Sequence, residues 1–175
     1  MTTSPSKLTI LVSGHTDLSK DLFDEYYRPR ISDAANIGHA FVLGCADGVD
    51  RMSFDMLYNE YHLGADRLEL FNKEKKPDFV PDDINCDISS KSWTARDDLM
   101  TSKSNATIAY VRPTKMALGS GTARNIVARV APMDVHDFFG VTRSEGTTIK
   151  DILVKYPVLK MFVMGPIDEY GDIVW

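Results

Sequence analysis

The sequence predicts an α/β fold: a mainly parallel sheet flanked by helices. Three observations carry the prediction. Short apolar, β-branched runs recur along the chain, several stop at small residues, and each is followed by a longer segment of helical spacing or by a polar turn. Strands alternating with helices assemble into parallel sheets, because each helix carries the chain back across a sheet face. The size agrees, since 175 residues with 43% apolar and 10% aromatic content make one domain with its own core.

Leu8 to Val12 is a buried strand that ends at Ser13-Gly14. Asp17 or Ser19 then caps a helix from Lys20 to about Ala40, which Pro29 must kink or split. Ala40 to Leu43 is a second strand, stopping at Gly44, and the turn Ala46 to Asp50 leads into an amphipathic helix ending near Gly64. Leu68 to Phe71 reads as a third strand. The Lys-, Pro- and Asp-rich stretch 72–87 reads as a loop outside the core. Helical spacing resumes from Ser92 to Lys103, and Thr107 to Val111 is a fourth strand ended by Pro113. Leu118 to Thr122 leads into a last helix through Val130, with Pro132 as its stop. The core thus spans 1–132, and 133–175 is an extension packed on the same domain, with short pieces at Phe138-Phe139, 149–154 and 158–164.

Composition narrows the function. A net charge of −5 argues against a general nucleic-acid binder held by phosphate contacts. Between Lys91 and Ala131, however, seven basic residues face two acidic ones, so that segment is +5 and the remainder −10. A local cationic region on an acidic chain suits a small anion, although solvated helix faces are the usual fate of such residues. No apolar run reaches the roughly 20 residues a membrane span needs, and no signal peptide is visible, so a cytoplasmic protein is expected. Cys45 and Cys86 make no disulfide framework and read as free thiols.

The chemistry is expected where strands end in small residues: Gly14, Gly44, and Gly119 to Gly121. Ligands of open parallel sheets bind beyond the carboxyl ends of the strands, where glycine lets backbone amides approach an anion. Gly119-Ser120-Gly121-Thr122 has the glycines, hydroxyls and helix start of a phosphate cradle, and the same residues also make an ordinary loop with a Thr cap. Neither a Walker A sequence nor a dinucleotide fingerprint is present, so no cofactor is invoked. His15, His39, His62 and His136 have no metal-ligand spacing, and no metal is invoked. His15 alone follows a strand-end glycine. Trp93 and Tyr110 are able to stack on a base, though core or interface packing is the commoner use of a Trp at helical spacing.

Four blocks in order, Val12-Ser13-Gly14-His15, Leu43 to Asp50, Ala95 to Met100, and Ser120-Gly121-Thr122, resemble the SLOG superfamily. That group holds the DNA-processing protein DprA, the LOG phosphoribohydrolases and YpsA-like proteins. The second block is similar to the family's Gly-Gly-Ala-x-Gly-hydrophobic-Asp turn, with Cys45 in place of a glycine. The resemblance covers about Leu8 to Val130 and implies a Rossmann-like sheet that binds a nucleotide or a nucleotide-derived ligand. It implies that Gly14, Gly44 and Gly48 line the crevice with Gly119, Ser120, Gly121 and Thr122. Asp50 then either holds a ribose hydroxyl or caps the second helix, and the cap weighs slightly more because a carboxylate repels phosphate. Arg96 would give phosphate two parallel hydrogen bonds, since neither Ser92 nor Met100, one turn away on each side, competes for it.

The departure from the family lies at Asn125, where its glycosidases place a nucleophilic or charge-stabilising Glu. An amide neither forms a glycosyl ester nor stabilises an oxocarbenium-like centre well, but it hydrogen-bonds phosphate or ribose on two sides. The expectation is therefore a sensor or sequestering protein for a nucleotide-like ligand. The alternative is an N-glycosidic hydrolase or transferase acting on nucleoside monophosphates, with Asp50, Asp97 or Asp98 as its carboxylate. A single-stranded DNA binder of DprA type ranks third on charge. No membrane partner is expected, and pairing of copies through surface helices or the extension is open.

Overall fold

The computed structural model describes residues 7–110, 120–122, 124 and 125. Five parallel strands form one sheet: β1 (Thr9–Ser13), β2 (Ala40–Gly44), β3 (Leu68–Lys73), β4 (Asn85–Ser90) and β5 (Ala106–Ala109), in the order β4-β3-β2-β1-β5. The chain builds outward from β1 to β4 and then returns to place β5 on the free side of β1. Around them run helices α1 (Lys20–Tyr26), α2 (Arg28–Ile37), α3 (Val49–Asp55) and α4 (Trp93–Ser102), and α3 continues into a π-helical turn over Met56–Glu60. The α/β fold with a parallel sheet expected from the alternation is the one observed, and it is Rossmann-like, as the resemblance implied. Among the described residues no helix is long and apolar enough to cross a membrane. The extension 133–175 lies outside the described residues, as do Gly119 and the +5 segment's Arg112, Lys115 and Arg129.

Strand periodicity divides the core between two faces. Ile10 and Val12 point with Phe41-type neighbours Leu43, Leu68 and Leu70 into the larger core, with Phe23, Tyr27 and Ile31 from α1 and α2 and Phe54 from α3. Leu11, Val42 and Phe71 point the other way, onto Met100 of α4. Pro29 splits the first helical segment as its chemistry requires: α1 ends at Tyr27 and α2 restarts with the proline in its first turn, where a missing N–H costs nothing. Ser19 is the cap of α1, its Oγ accepting the Leu22 N–H at 3.4 Å. Gly38 ends α2 in the left-handed region, at φ +98°.

One expected loop is a strand. Part of 72–87 is β4, which runs to Ser90 and pairs parallel with β3 from Glu69↔Asn85 onward. Its sequence, Asn-Cys-Asp-Ile-Ser-Ser, has a single β-branched residue, because an edge strand that is largely solvated needs backbone pairing more than apolar side chains.

Candidate functional site

Beyond the carboxyl ends of β1 and β5 the sheet opens into a cavity of about 240 Å³. This is the point at which strand order reverses, and there the connections leaving two neighbouring strands diverge and leave a crevice. Of the residues expected at the site, Gly14, His15, Asp50, Arg96, Ser120, Gly121, Thr122 and Asn125 line it. Val12, Ser13, Thr16, Ala46, Asp97 and Met100 complete the lining.

A tyrosine holds the crevice open. The Tyr27 hydroxyl, fully buried, donates to the Ser13 carbonyl at 2.9 Å and accepts the Tyr110 N–H at 2.8 Å. Ser13 pairs with Ala109, so a regular parallel ladder would join that carbonyl directly to the Tyr110 N–H. The hydroxyl sits between them, keeping both backbone groups satisfied while the strands part. Burial pushes its own ionisation far above the ordinary tyrosine value. Two glycines permit this crowding. A Cβ on Gly14 would stand 2.3 Å from Val49 Cγ2 and 2.6 Å from the Tyr27 hydroxyl. A Cβ on Gly48, at φ +72°, would stand 2.4 Å from the His15 carbonyl oxygen, where the loops after β1 and β2 cross.

The charged groups form one chain of contacts. Asp97, almost wholly buried, accepts Arg96 Nη2 at 2.7 Å and Nε at 3.1 Å on one oxygen, and Arg124 Nη2 at 2.8 Å on the other. It ties α4 to the segment that carries Gly121 and Thr122, both helical. Arg96 therefore has a competitor after all: not a residue one turn away but its immediate neighbour, which bends back past it. Asp50 does not cap α3, since Gly48 holds the cap position. Its Oδ2 accepts the Ala46 N–H at 3.2 Å inside the cavity wall. Burial raises the Asp50 carboxyl to about 7, against the opposing pull of Arg96 and the Ala46 N–H.

Asn125 gives its amide nitrogen to Ser13 Oγ at 3.0 Å, fastening the segment after β5 to the end of β1. Thr122 and Asn125 are buried and Ser120 half-buried, while Gly121 is exposed. A Cβ on Gly121 would meet Asp97 Oδ2 at 3.5 Å, an ordinary contact, so packing alone does not demand this glycine.

Three expected residues support the cavity from outside its lining. Gly44 lies beneath Asp50 and Arg96; a Cβ there would fall 2.2 Å from Asp50 Oδ2. Gly48 makes the loop crossing described above. Cys45 turns to Cys86, Sγ to Sγ 3.9 Å, and both thiols are free, with burial raising their ionisation above the usual range. Asp98 is exposed on α4 and outside the lining. The sequence shows neither the bridging role of the Tyr27 hydroxyl, since Tyr27 reads as one more apolar helix position, nor the anchoring role of Asp97, which it offers only as a candidate carboxylate.

Three cations of the segment are held by carboxylates: Arg96 and Arg124 share Asp97, while Lys103 reaches Glu69 at 3.0 Å. With Asp50 protonated, the cluster of Arg96 and Asp97 in the cavity wall and Arg124 paired to it carries one positive charge in excess. With Asp50 ionised they balance. No family model, curated protein or solved structure matches the chain.

Proposed function

We propose that the chain binds a nucleotide or nucleotide-derived small molecule in this cavity, as a sensor or sequestering protein. One observation carries the reading: the crevice at the strand-order reversal is lined together by Ser120, Gly121, Thr122, Arg96 and Gly14. Small residues and hydroxyls give an anion close access, and the guanidinium supplies charge. Ser13 and Asn125, already bonded to each other, set the position of that lining. The order of the four SLOG-like blocks supports the same ligand class.

A second reading is favoured by Asp50. Of the three carboxylates open to a glycosidase role, Asp98 faces solvent and Asp97 is held by two arginines, which leaves Asp50 as the cavity carboxyl raised to about 7. A group titrating there can exchange a proton with a leaving base or a water. The two readings separate in ligand-observed NMR, with the protein mixed with nucleoside mono-, di- and triphosphates and followed over hours. Broadening of one ligand with its anomeric proton unchanged supports the binder. Loss of that signal with free base growing in, abolished in Asp50→Asn, makes the protein an N-glycosidase. No broadening and no turnover across the panel refutes both.

A further inference from the structure

Trp93, the first residue of α4, keeps 53% of its surface exposed. Met100, two turns along the same helix, is buried on the sheet, whereas Trp93, at the start of the helix, belongs to neither core cluster. It is not isolated. The Arg96 guanidinium carbon lies 4.9 Å from the centre of the indole, and Lys73 Nζ lies 5.7 Å from it. Arg96 is itself a wall of the cavity, and Lys73 ends β3 at the same carboxyl edge of the sheet. The indole is therefore the next surface beyond Arg96, a half-exposed aromatic plane with two cations over it, each also paired with a carboxylate: Arg96 with Asp97, and Lys73 with Glu74 at 2.7 Å.

We infer that Trp93 is the base-stacking platform of the site: the phosphate end of a nucleotide takes the hydroxyl-lined cavity and Arg96, and its base lies on the indole outside. The inference rests on the nucleotide reading above and adds to it the class of ligand feature recognised, a planar aromatic ring carried one sugar away from an anion. The donors around the ring favour that occupant. Arg96 and Lys73 are each paired with one carboxylate, yet both carry several N–H donors beside an exposed aromatic face, which suits a ligand that is flat at one end and anionic at the other. Stacking on a tryptophan tolerates any base, because every base has a π-face, so affinity should depend more on the presence of a ring than on its identity.

The chain contains two tryptophans, Trp93 and Trp175. In a Trp175→Phe background the indole of Trp93 reports alone. The full-length protein is titrated with AMP, CMP and ribose 5-phosphate, and binding is followed by fluorescence and calorimetry. The expected result is quenching by AMP and CMP but not by ribose 5-phosphate. Affinity for AMP should be at least tenfold tighter than for ribose 5-phosphate, the scale of one base–aromatic stack. Trp93→Ala should bring AMP down to the ribose 5-phosphate level without changing the latter, and Trp93→Phe should restore part of the difference. AMP binding equally to the parent and to Trp93→Ala overturns the platform and leaves the nucleotide reading standing. A change of oligomeric state in Trp93→Ala with unchanged AMP affinity makes the indole an interface residue and also overturns it. If the parent binds none of the three probes, both readings fall together.

Discussion

Replacing Asp50 with Asn should stabilise the protein above neutral pH and do little below pH 4. The side chain is buried in the cavity wall, and its carboxyl is carried from 3.8 to about 7. Between those values the native state holds a proton that the unfolded chain has released, so stability falls as pH rises through the window. At 1.36 kcal/mol per pH unit the full loss is about 4 kcal/mol, with about 3 kcal/mol of it between pH 5 and pH 8. Asn keeps the oxygen that accepts the Ala46 N–H and removes the charge. The variant should therefore open a gap over the parent of about 3 kcal/mol on going from pH 5 to pH 8, or roughly 6–12 °C in Tm for a domain of this size. Urea denaturation of both proteins at half-unit pH steps measures it. Parallel stability curves across that range would refute the reasoning, because they would mean the carboxyl ionises near its ordinary value. Sulfate, which does not titrate here, extends the test to the site. Its affinity for the parent should weaken as pH rises through 7 and the excess positive charge is lost, and Asp50→Asn should be flat.

Other substitutions probe the remaining contacts. Tyr27→Phe strips partners from a buried carbonyl and a buried N–H, so chemical denaturation should show a loss of about 2–4 kcal/mol. Gly14→Ala places a methyl 2.3 Å from Val49. Backbone must move there, and calorimetry should find at least about 2 kcal/mol lost, whereas Gly121→Ala should be near neutral. Arg96→Ala and Gly121→Asp should each weaken nucleotide broadening in NMR without unfolding the domain, the second by setting a carboxylate beside Asp97. Parent-like binding by both would displace the cradle. Asp97→Ala leaves two arginines without their shared anion and should cost about 3 kcal/mol in urea, a loss that a surface pair would not show.

How far the sequence reveals this molecule depends on whether a feature is local. The central strands are legible because burial on both faces demands continuous apolar runs such as Leu8 to Val12, and Pro29 and Gly38 act through their own backbones. The edge strand β4 is not legible, since its place is set by β3 and its composition is that of a loop. The same division holds at the site. Strand-end glycines flag the crevice, and eight of the twelve residues singled out line it. Asp97 beside Arg96 gives no helical-spacing signal, and the pairing of Arg124 with Asp97 spans 27 positions. Tyr27 meets Tyr110 across 83 positions, in contact with a backbone group that carries no side-chain signature at all.

The Tyr27 hydroxyl has a consequence for how the cavity is calibrated. Its gauge is a phenol mounted on the helical layer, seated where α1 gives way to α2, so the width of the gap between two strands is dictated from outside the sheet. Repacking at Phe23, which stacks on Tyr27, or at Ile31, neither of which lines the cavity, should then register as altered affinity, much as a shim moved behind a hinge changes the clearance of the door. Selection acting on ligand size has a remote adjustment available to it, one that leaves every residue in contact with the ligand unchanged.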